Sequence, residues 1–479
     1  MIDRTSVIFG NRIDEATVRK AEKAKQKYIQ KYGDDSNAVY HLAAEDIPVL
    51  DFIGAKKLVF SDTDEPLAGN PLVVGNIRMG FGHYRISMAM ASCAKALGFT
   101  PYWLDLAGFD ATGSKMIREQ NDLYSKASRI SQKSRLFNRV IWEPLNSEGF
   151  RQLTYNAKDQ KSAELLVPIL KALPKDVPYI ATHVWPSQGA VHAGMTHVVN
   201  AIPDNWPMAL HLSEGAIHTV QTQFAYLGYK MMNGFAKEPL KGIPDEYLKM
   251  TGRYVDHELL VNLEEDNERR MARAKEGRPV RFLLTVGGAG AGFDQFLAMV
   301  KHLLPYVQKK KAAVIVNFGD HRDAYEKMQT ALGGMEVRKF FDDYERLKAF
   351  VSDLRYSEAE GITAVCDEDI FKAVYATNLC MPECDILITK PSELAYYPIP
   401  KIFMKHIGGH EVYGAVASQE AGDGTFECPT EKSMNEMIDR LLSDPELYCH
   451  MCLRINAMKA AGDYNGGYEC VRLAAGMTD

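Results

Sequence analysis

The chain has no apolar run near the ~20 residues that a membrane-spanning helix needs. Its first twenty residues, MIDRTSVIFGNRIDEATVRK, lack the basic end and apolar centre of a signal peptide. Together these absences make a cytoplasmic protein the expectation. Cysteine is scarce, eight in 479 residues, and Cys93, Cys366, Cys380, Cys384, Cys428, Cys449, Cys452 and Cys470 mostly sit in apolar patterns. Reduced, buried thiols fit this better than a disulfide framework. The pairs Cys380/Cys384 and Cys449/Cys452 do not make up the four paired ligands of a structural zinc site, so no metal is expected. An excess of one charge is also missing: 56 Lys and Arg stand against 62 Asp and Glu, a formal net charge of -6. No global attraction to nucleic acid follows. There is no G-K-S or G-K-T for a P-loop, and no internal repeat or low-complexity segment.

What is present is a long globular chain, 46% hydrophobic and 25% charged. It is too long for one ordinary core, so at least two domains are expected. Strand, loop and helix patterns alternate along most of it, which predicts α/β domains with parallel sheets covered by helices on both faces. Residues 1–68 read differently, as an N-terminal extension. There DEATVRKAEKAKQKYIQKYG predicts an amphipathic helix ended by Gly33, followed by a short apolar stretch from Ile47 to Ile53. Candidate strands then follow at LVVGNI, PYWLDL, PYIATHVW, THVVNAIP and AIHTVQ. After the charged helix and turn EEDNERRMARAKEGRP a second series opens with VRFLLTVGG, AAVIVNFG, GITAVC, DILITK and PKIFMKHIGG. The composition shift puts a boundary near Pro279, giving domains over 69–278 and 279–458, with 459–479 as a helix returning to the first.

Both series begin with the same device. The first strand runs into Arg78, Met79, Gly80, Phe81, Gly82 and His83 before a helix; the other runs into Gly287, Gly288, Ala289, Gly290, Ala291 and Gly292 before a helix from Phe293. Glycine permits close backbone approach, and a helix start offers free N–H groups with a partial positive charge. Either turn therefore suits an anion or a polar ligand. Gly80 and Gly82 do not complete G-x-G-x-x-G, because Arg85 stands at the third glycine. Ligands of open parallel sheets bind outside the carboxyl ends of the strands, so two facing domains would enclose a cleft lined by both turns.

The order of these segments resembles the two-domain GT-B glycosyltransferases. The similarity is greatest to the branch of monogalactosyldiacylglycerol synthases, processive diacylglycerol glucosyltransferases and the peptidoglycan N-acetylglucosaminyltransferase. It is carried by the GFGH turn and its small-residue helix, by LDL, and by GIPDEYLKMTGRYV with Gly242, Ile243, Pro244, Thr251 and Gly252. LLTVGGAGAG, DILITKPSE, PKIFMKHIGGHEVYGAVASQEAGDGT and LLSDPEL extend it from roughly Pro71 to Met458. The resemblance implies two Rossmann-like domains facing across a cleft and metal-independent hexosyl transfer from a nucleotide sugar, usually a UDP-sugar, with no permanently bound cofactor. It places the diphosphate over Gly287, Gly288, Ala289 and Gly290, with Thr285 adding a hydroxyl. The turn from Thr389 to Glu393, with Pro391, Ser392 and Glu393, would line the same pocket, while Gly408, Gly409, His410 and Glu411 would approach the sugar or ribose. Gly80 and Gly82 shape the first-domain turn, and His83 would face the transferred sugar and the acceptor, a lipid or a small molecule, as base or as donor. One departure stands out. Between Pro391 and Pro400 there are too few residues for the helix that carries the family's ribose-binding glutamate, so that contact passes to Glu393 or Glu411.

Further polar residues fall at strand ends, and each admits two readings. Asp204 in NAIPDNWP is a second general-base candidate or a turn former, and Asp105 is a cleft carboxylate or a structural cap. His183, Trp185, His211 and Glu214 fit structural roles better than chemical ones, and Asp320, His321 and Arg322 fit an exposed loop better than a nucleotide contact. From Lys115 to Arg139 seven basic residues stand against Glu119 and Asp122, with Leu123, Tyr124, Ile130, Leu136 and Phe137 between them. This segment reads as a solvated helix pair, or as a surface resting on anionic lipid at the inner face of the membrane. Two other function classes remain open: a nucleotide-sugar-binding or regulatory protein without turnover, and a NAD-dependent oxidoreductase. The second is disfavoured by the incomplete fingerprint.

Overall fold

Fifteen strands in two sheets, with a two-stranded hairpin, organise the described part of the chain. It is a computed structural model that describes residues 3–286, 293–333 and 335–477, without the side chains of 128, 129, 132, 133, 135 and 138. The hairpin is β1 (Val7–Ile8) and β2 (Asn11–Arg12). The first sheet uses β3 (His41–Asp46), β4 (Lys56–Ser61), β5 (Pro71–Asn76), β6 (Thr100–Asp105), β7 (Tyr179–Ala181), β8 (Val198–Ala201), β9 (Ile217–Val220) and β10 (Leu248–Met250). The second uses β11 (Val280–Thr285), β12 (Ala312–Asn317), β13 (Arg338–Phe341), β14 (Ile362–Cys366), β15 (Ile386–Thr389), β16 (Lys401–Met404) and β17 (Gly424–Cys428). Their spatial orders are β10-β9-β8-β7-β5-β6-β4-β3 and β13-β14-β12-β11-β15-β16-β17. Within these two sheets all pairings are parallel except β3 with β4.

Each sheet reverses its strand order beside a central strand, between β5 and β7 and between β11 and β15, and these reversals are where ligands of such sheets bind. The central strands read as unbroken apolar runs because helices cover both faces. In β11 all six residues are buried, with Phe282 and Leu284 in one core and Leu283 in another. The ten strands expected from the sequence are all present.

The N-terminal helix, Glu15–Tyr32, is set by its ends: Asp14 accepts from the Thr17 N–H at 2.9 Å, and the Gly33 N–H returns to the Ile29 carbonyl at 2.9 Å. The rest of the expected extension is less separate than its composition suggests. β3 and β4 form an antiparallel hairpin that pairs onto β6, Lys56 opposite Tyr102, and so covers an edge of the first sheet. The charged helix before Pro279, Leu263–Lys275, packs with the second sheet. There Arg273 binds Asp385 Oδ1 through Nη2 at 2.7 Å, and Arg270 donates to the carbonyls of Cys384 and Met381 at 2.7 and 2.8 Å. Charge hid this face, because the guanidinium groups are buried and paired.

The chain crosses between the halves twice, and the crossings lie side by side. Arg253 N–H donates to the Asp463 carbonyl at 2.6 Å, and Gly466 N–H returns to the Arg253 carbonyl at 3.1 Å. Helix Gly466–Ala474 then packs on the first-domain helix Gly82–Ala96, where a side chain on Gly467 would meet Cys93 Sγ at 2.6 Å. Below the crossing lies a buried triad. Asp423 Oδ2 accepts from Arg253 Nη1 at 2.5 Å and from Lys401 Nζ at 2.8 Å. Burial pushes Lys401 down to about 8 although Asp423 opposes the shift.

The halves meet through the segments that follow the carboxyl ends of their strands. Arg78, beyond β5, binds Asp320, beyond β12, at 2.7 Å, and Asn205 Nδ2, beyond β8, donates to the Tyr413 carbonyl at 2.9 Å. Two Rossmann-like domains with facing strand ends make this the GT-B architecture.

Candidate active site between the domains

His83 stands in the first turn of helix Gly82–Ala96, directly after the turn from β5. Gly80 holds φ at +76°, and a side chain on Gly82 would come within 3.1 Å of Glu393 Oε2, from the opposite domain. The helix has no side-chain cap, so its first N–H groups remain available. His83 Nδ1 lies 2.7 Å from the Thr182 carbonyl oxygen. A carbonyl can only accept, so Nδ1 carries the proton and Nε2 of the neutral ring keeps its lone pair. Burial lowers the imidazole below its ordinary value, and the Thr182 carbonyl and Asp204 oppose this only in part.

Asp204 follows β8 and accepts from His211 Nε2 at 3.0 Å, with His410 of the second domain 3.9 Å from its other oxygen. Burial alone would raise its carboxyl. The His211 hydrogen bond, with His410 and His83 nearby, more than cancels this and holds it well below the usual carboxylate range. His183 packs edge-on to His83 at 4.9 Å, and its Nδ1 accepts from the Trp185 N–H at 3.2 Å, starting the next helix. Burial, with His83 and His211 nearby, keeps it far below the ordinary histidine value. Glu214 serves the N-terminal hairpin, accepting from the Phe9 N–H at 3.0 Å. Asp105 accepts from the Tyr84 hydroxyl at 2.5 Å, and burial raises it.

The second domain brings three turns. Thr285 ends β11, buried. Gly287, Gly288, Ala289 and Gly290 lie outside the described residues. The segment after β15 makes only a short 3-10 turn, Glu393–Tyr396, in keeping with the spacing between Pro391 and Pro400. Ser392 closes that turn through its carbonyl, which accepts from Ala395 N–H at 3.0 Å, and the Pro391 carbonyl lies where a side chain on Gly414 would meet it at 2.4 Å. After β16, Gly408 and Gly409 lead into His410 and Glu411. Glu411 Oε1 accepts from Lys390 Nζ at 2.6 Å and Oε2 from the Ile407 N–H at 2.8 Å. Burial would raise Glu411, but Lys390 and His410 hold it low.

The fold thus brings His83, Asp204, Glu393, His410 and Glu411 to one interdomain locus. Sequence reasoning missed Arg78 and Arg85 there and set His211 among structural residues, while Lys390 falls within the expected Thr389–Glu393 turn. Arg85 was visible only as the residue that breaks the glycine fingerprint. Among the described residues no group of three or more His, Cys, Asp or Glu side chains is arranged to hold a metal ion, and all eight cysteines are free and buried.

Residues 7–231 match the family model described as Domain of unknown function (DUF6937), and residues 243–475 match Domain of unknown function (DUF6938). No curated protein sequence matches the chain. Among solved structures, it is similar to the UDP-GlcNAc 2-epimerase from Neisseria meningitidis bound to UDP-GlcNAc, at 10% identity and a TM-score of 0.44 over 84% of this chain and 97% of that one. It is also similar to the Methanocaldococcus jannaschii UDP-GlcNAc 2-epimerase in complex with UDP-GlcNAc and UDP, at 12% and 0.39 over 81% and 99%. A third is the alpha,alpha-trehalose 6-phosphate synthase from Burkholderia multivorans, at 11% and 0.41 over 85% and 99%.

Proposed function

We propose that the chain is a metal-independent glycosyltransferase that moves a hexose from a UDP-sugar to a hydroxyl of a lipid or small-molecule acceptor. The observation that carries this reading is His83: a neutral imidazole, its tautomer fixed by the Thr182 carbonyl, at an uncapped helix start facing the turns of the other domain. Its Nε2 takes the proton of the acceptor hydroxyl as the oxygen bonds to the anomeric carbon. The bond to the diphosphate breaks, and the leaving group departs with that electron pair toward the helix N–H groups. Asp204, held as carboxylate by His211, supports the imidazolium that forms. Pro391, Ser392, Glu393, Gly409, His410 and Glu411 hold the donor, with Thr285 and the glycines that follow it at the diphosphate.

The acceptor half rests on the surface of the first domain. Leu123, Ile130, Leu136, Val140 and Ile141 are exposed on and after helix Thr112–Lys133, beside the exposed Lys126 and Arg139. Lys115 is already paired with Asp110, and Arg118 with the carbonyls of Ala107 and Phe109. Among the described residues no helix is long and apolar enough to cross a membrane, so lipid contact would be peripheral.

Calorimetric titration with UDP and with NAD, followed by turnover of UDP-sugars with and without acceptors, tests the proposal. UDP binding with transfer is expected. UDP binding without transfer or hydrolysis would favour a binding protein, and NAD binding in place of UDP an oxidoreductase. Sedimentation with anionic liposomes, lost at high salt and in Lys126→Glu, would favour a lipid acceptor.

A further inference from the structure

Arg85 is a buried cation carried by the first domain and held by the second. From helix Gly82–Ala96 its Nη1 donates to Asn378 Oδ1 at 2.8 Å and to the Val374 carbonyl at 3.2 Å, both on helix Ile370–Cys380. Its guanidinium lies 5.9 Å from the centre of the Tyr397 ring. Its Nε has no hydrogen-bond partner among the described residues and stands 3.7 Å from Glu393 Oε1. One edge of the fork is therefore anchored, and the other is free to take the carboxylate of the short turn Glu393–Tyr396.

Two other pairs across the site share this spacing. His410 to Asp204 and His406 to Glu143 are both 3.9 Å, whereas Arg78 to Asp320, farther out, is 2.7 Å. Arg85 to Glu393 and the two histidine pairs fall short of hydrogen-bond contact by about 1 Å, while Arg78 to Asp320 and Asn205 to the Tyr413 carbonyl, at 2.9 Å, are already made.

We propose that Arg85 is the positioning residue for Glu393: its unpartnered Nε, 3.7 Å from Oε1, engages the carboxylate and fixes it toward the donor. This rests on the nucleotide-sugar reading above. Donor recognition by the second domain then depends on a side chain of the first. A Cβ at Gly82 would stand 3.1 Å from Oε2 of the same carboxylate and press on it.

The test is a double-mutant cycle in the full chain, with UDP affinity read by calorimetry and folding checked by thermal melting. Arg85→Gln and Glu393→Gln should each weaken UDP by about tenfold, and the double variant by no more than about twofold beyond either, because the two groups act as a pair. Arg85→Lys should fall between, since a point charge cannot serve both edges of the fork. Additive losses in the double variant, or unchanged affinity in folded Arg85→Gln, would overturn the positioning role and leave the nucleotide-sugar reading standing. Were Arg85→Gln to unfold, the partly exposed Glu393→Gln decides alone, unchanged affinity counting against the pair. An unmodified chain that fails to bind UDP overturns both.

Discussion

On the proposed function, replacing His83 by alanine removes the general base, whose tautomer is set by the Thr182 carbonyl. General-base groups contribute about 10²–10⁴ in rate, or about 3–5 kcal/mol of barrier at 1.36 kcal/mol per decade. Sugar transfer by His83→Ala should therefore fall by at least about a hundredfold. The structural loss is smaller, one hydrogen bond to the Thr182 carbonyl and an edge contact with His183, worth about 1–2 kcal/mol of stability. UDP affinity, which the proposal assigns to the second domain and Arg85 and not to His83, should stay within about threefold. The pH profile discriminates further. Because burial lowers His83, kcat should be level through neutral pH and fall only once the pH drops below the ordinary histidine value near 6.5. That acid limb should vanish in His83→Ala. Stopped assays of sugar release from pH 4.5 to 8 read all of this. A limb that persists in the variant, or a larger loss in Asp204→Asn than in His83→Ala, would refute the assignment and move the base to Asp204.

Two predictions concern stability. His218 is buried, with Nε2 accepting from the Ser213 N–H at 2.9 Å and Nδ1 donating to the Tyr247 carbonyl at 3.2 Å, so a second proton would cost the first bond. Burial pushes it down to about 4, and the unfolded chain therefore binds its proton first. Stability should fall as pH drops from 6.5 to 4, and thermal melts of His218→Asn should show a shallower fall; an unchanged slope would sink this attribution. Asp423→Asn leaves Arg253 and Lys401 buried together without their shared carboxylate, and should cost about 3–5 kcal/mol in denaturant unfolding. A loss below about 1 kcal/mol would mean the triad adds little.

The sequence by itself determined the layers and the strand order of events along the chain. Apolar runs such as VRFLLT and AAVIVN can satisfy a doubly covered parallel strand and little else, and the caps at Asp14 and Gly33 end their helix through contacts within a few residues. The turn that carries His83 was legible for the same reason, because a glycine turn between a strand and a helix start is local chemistry. Tertiary structure decided everything that depends on partners far apart in the chain. Helix Leu263–Lys275 reads as a charged helix at a domain boundary until Asp385 and the carbonyls of Met381 and Cys384 bury its arginines. β3 and β4 read as an appendage until the open edge of β6 receives them. His211 became part of the site through Asp204, seven residues away, and Arg85 through Asn378 and Glu393, about three hundred residues away. Hydrogen bonds and ion pairs depend on distance in space, which a one-dimensional pattern fixes only when the partners share a turn.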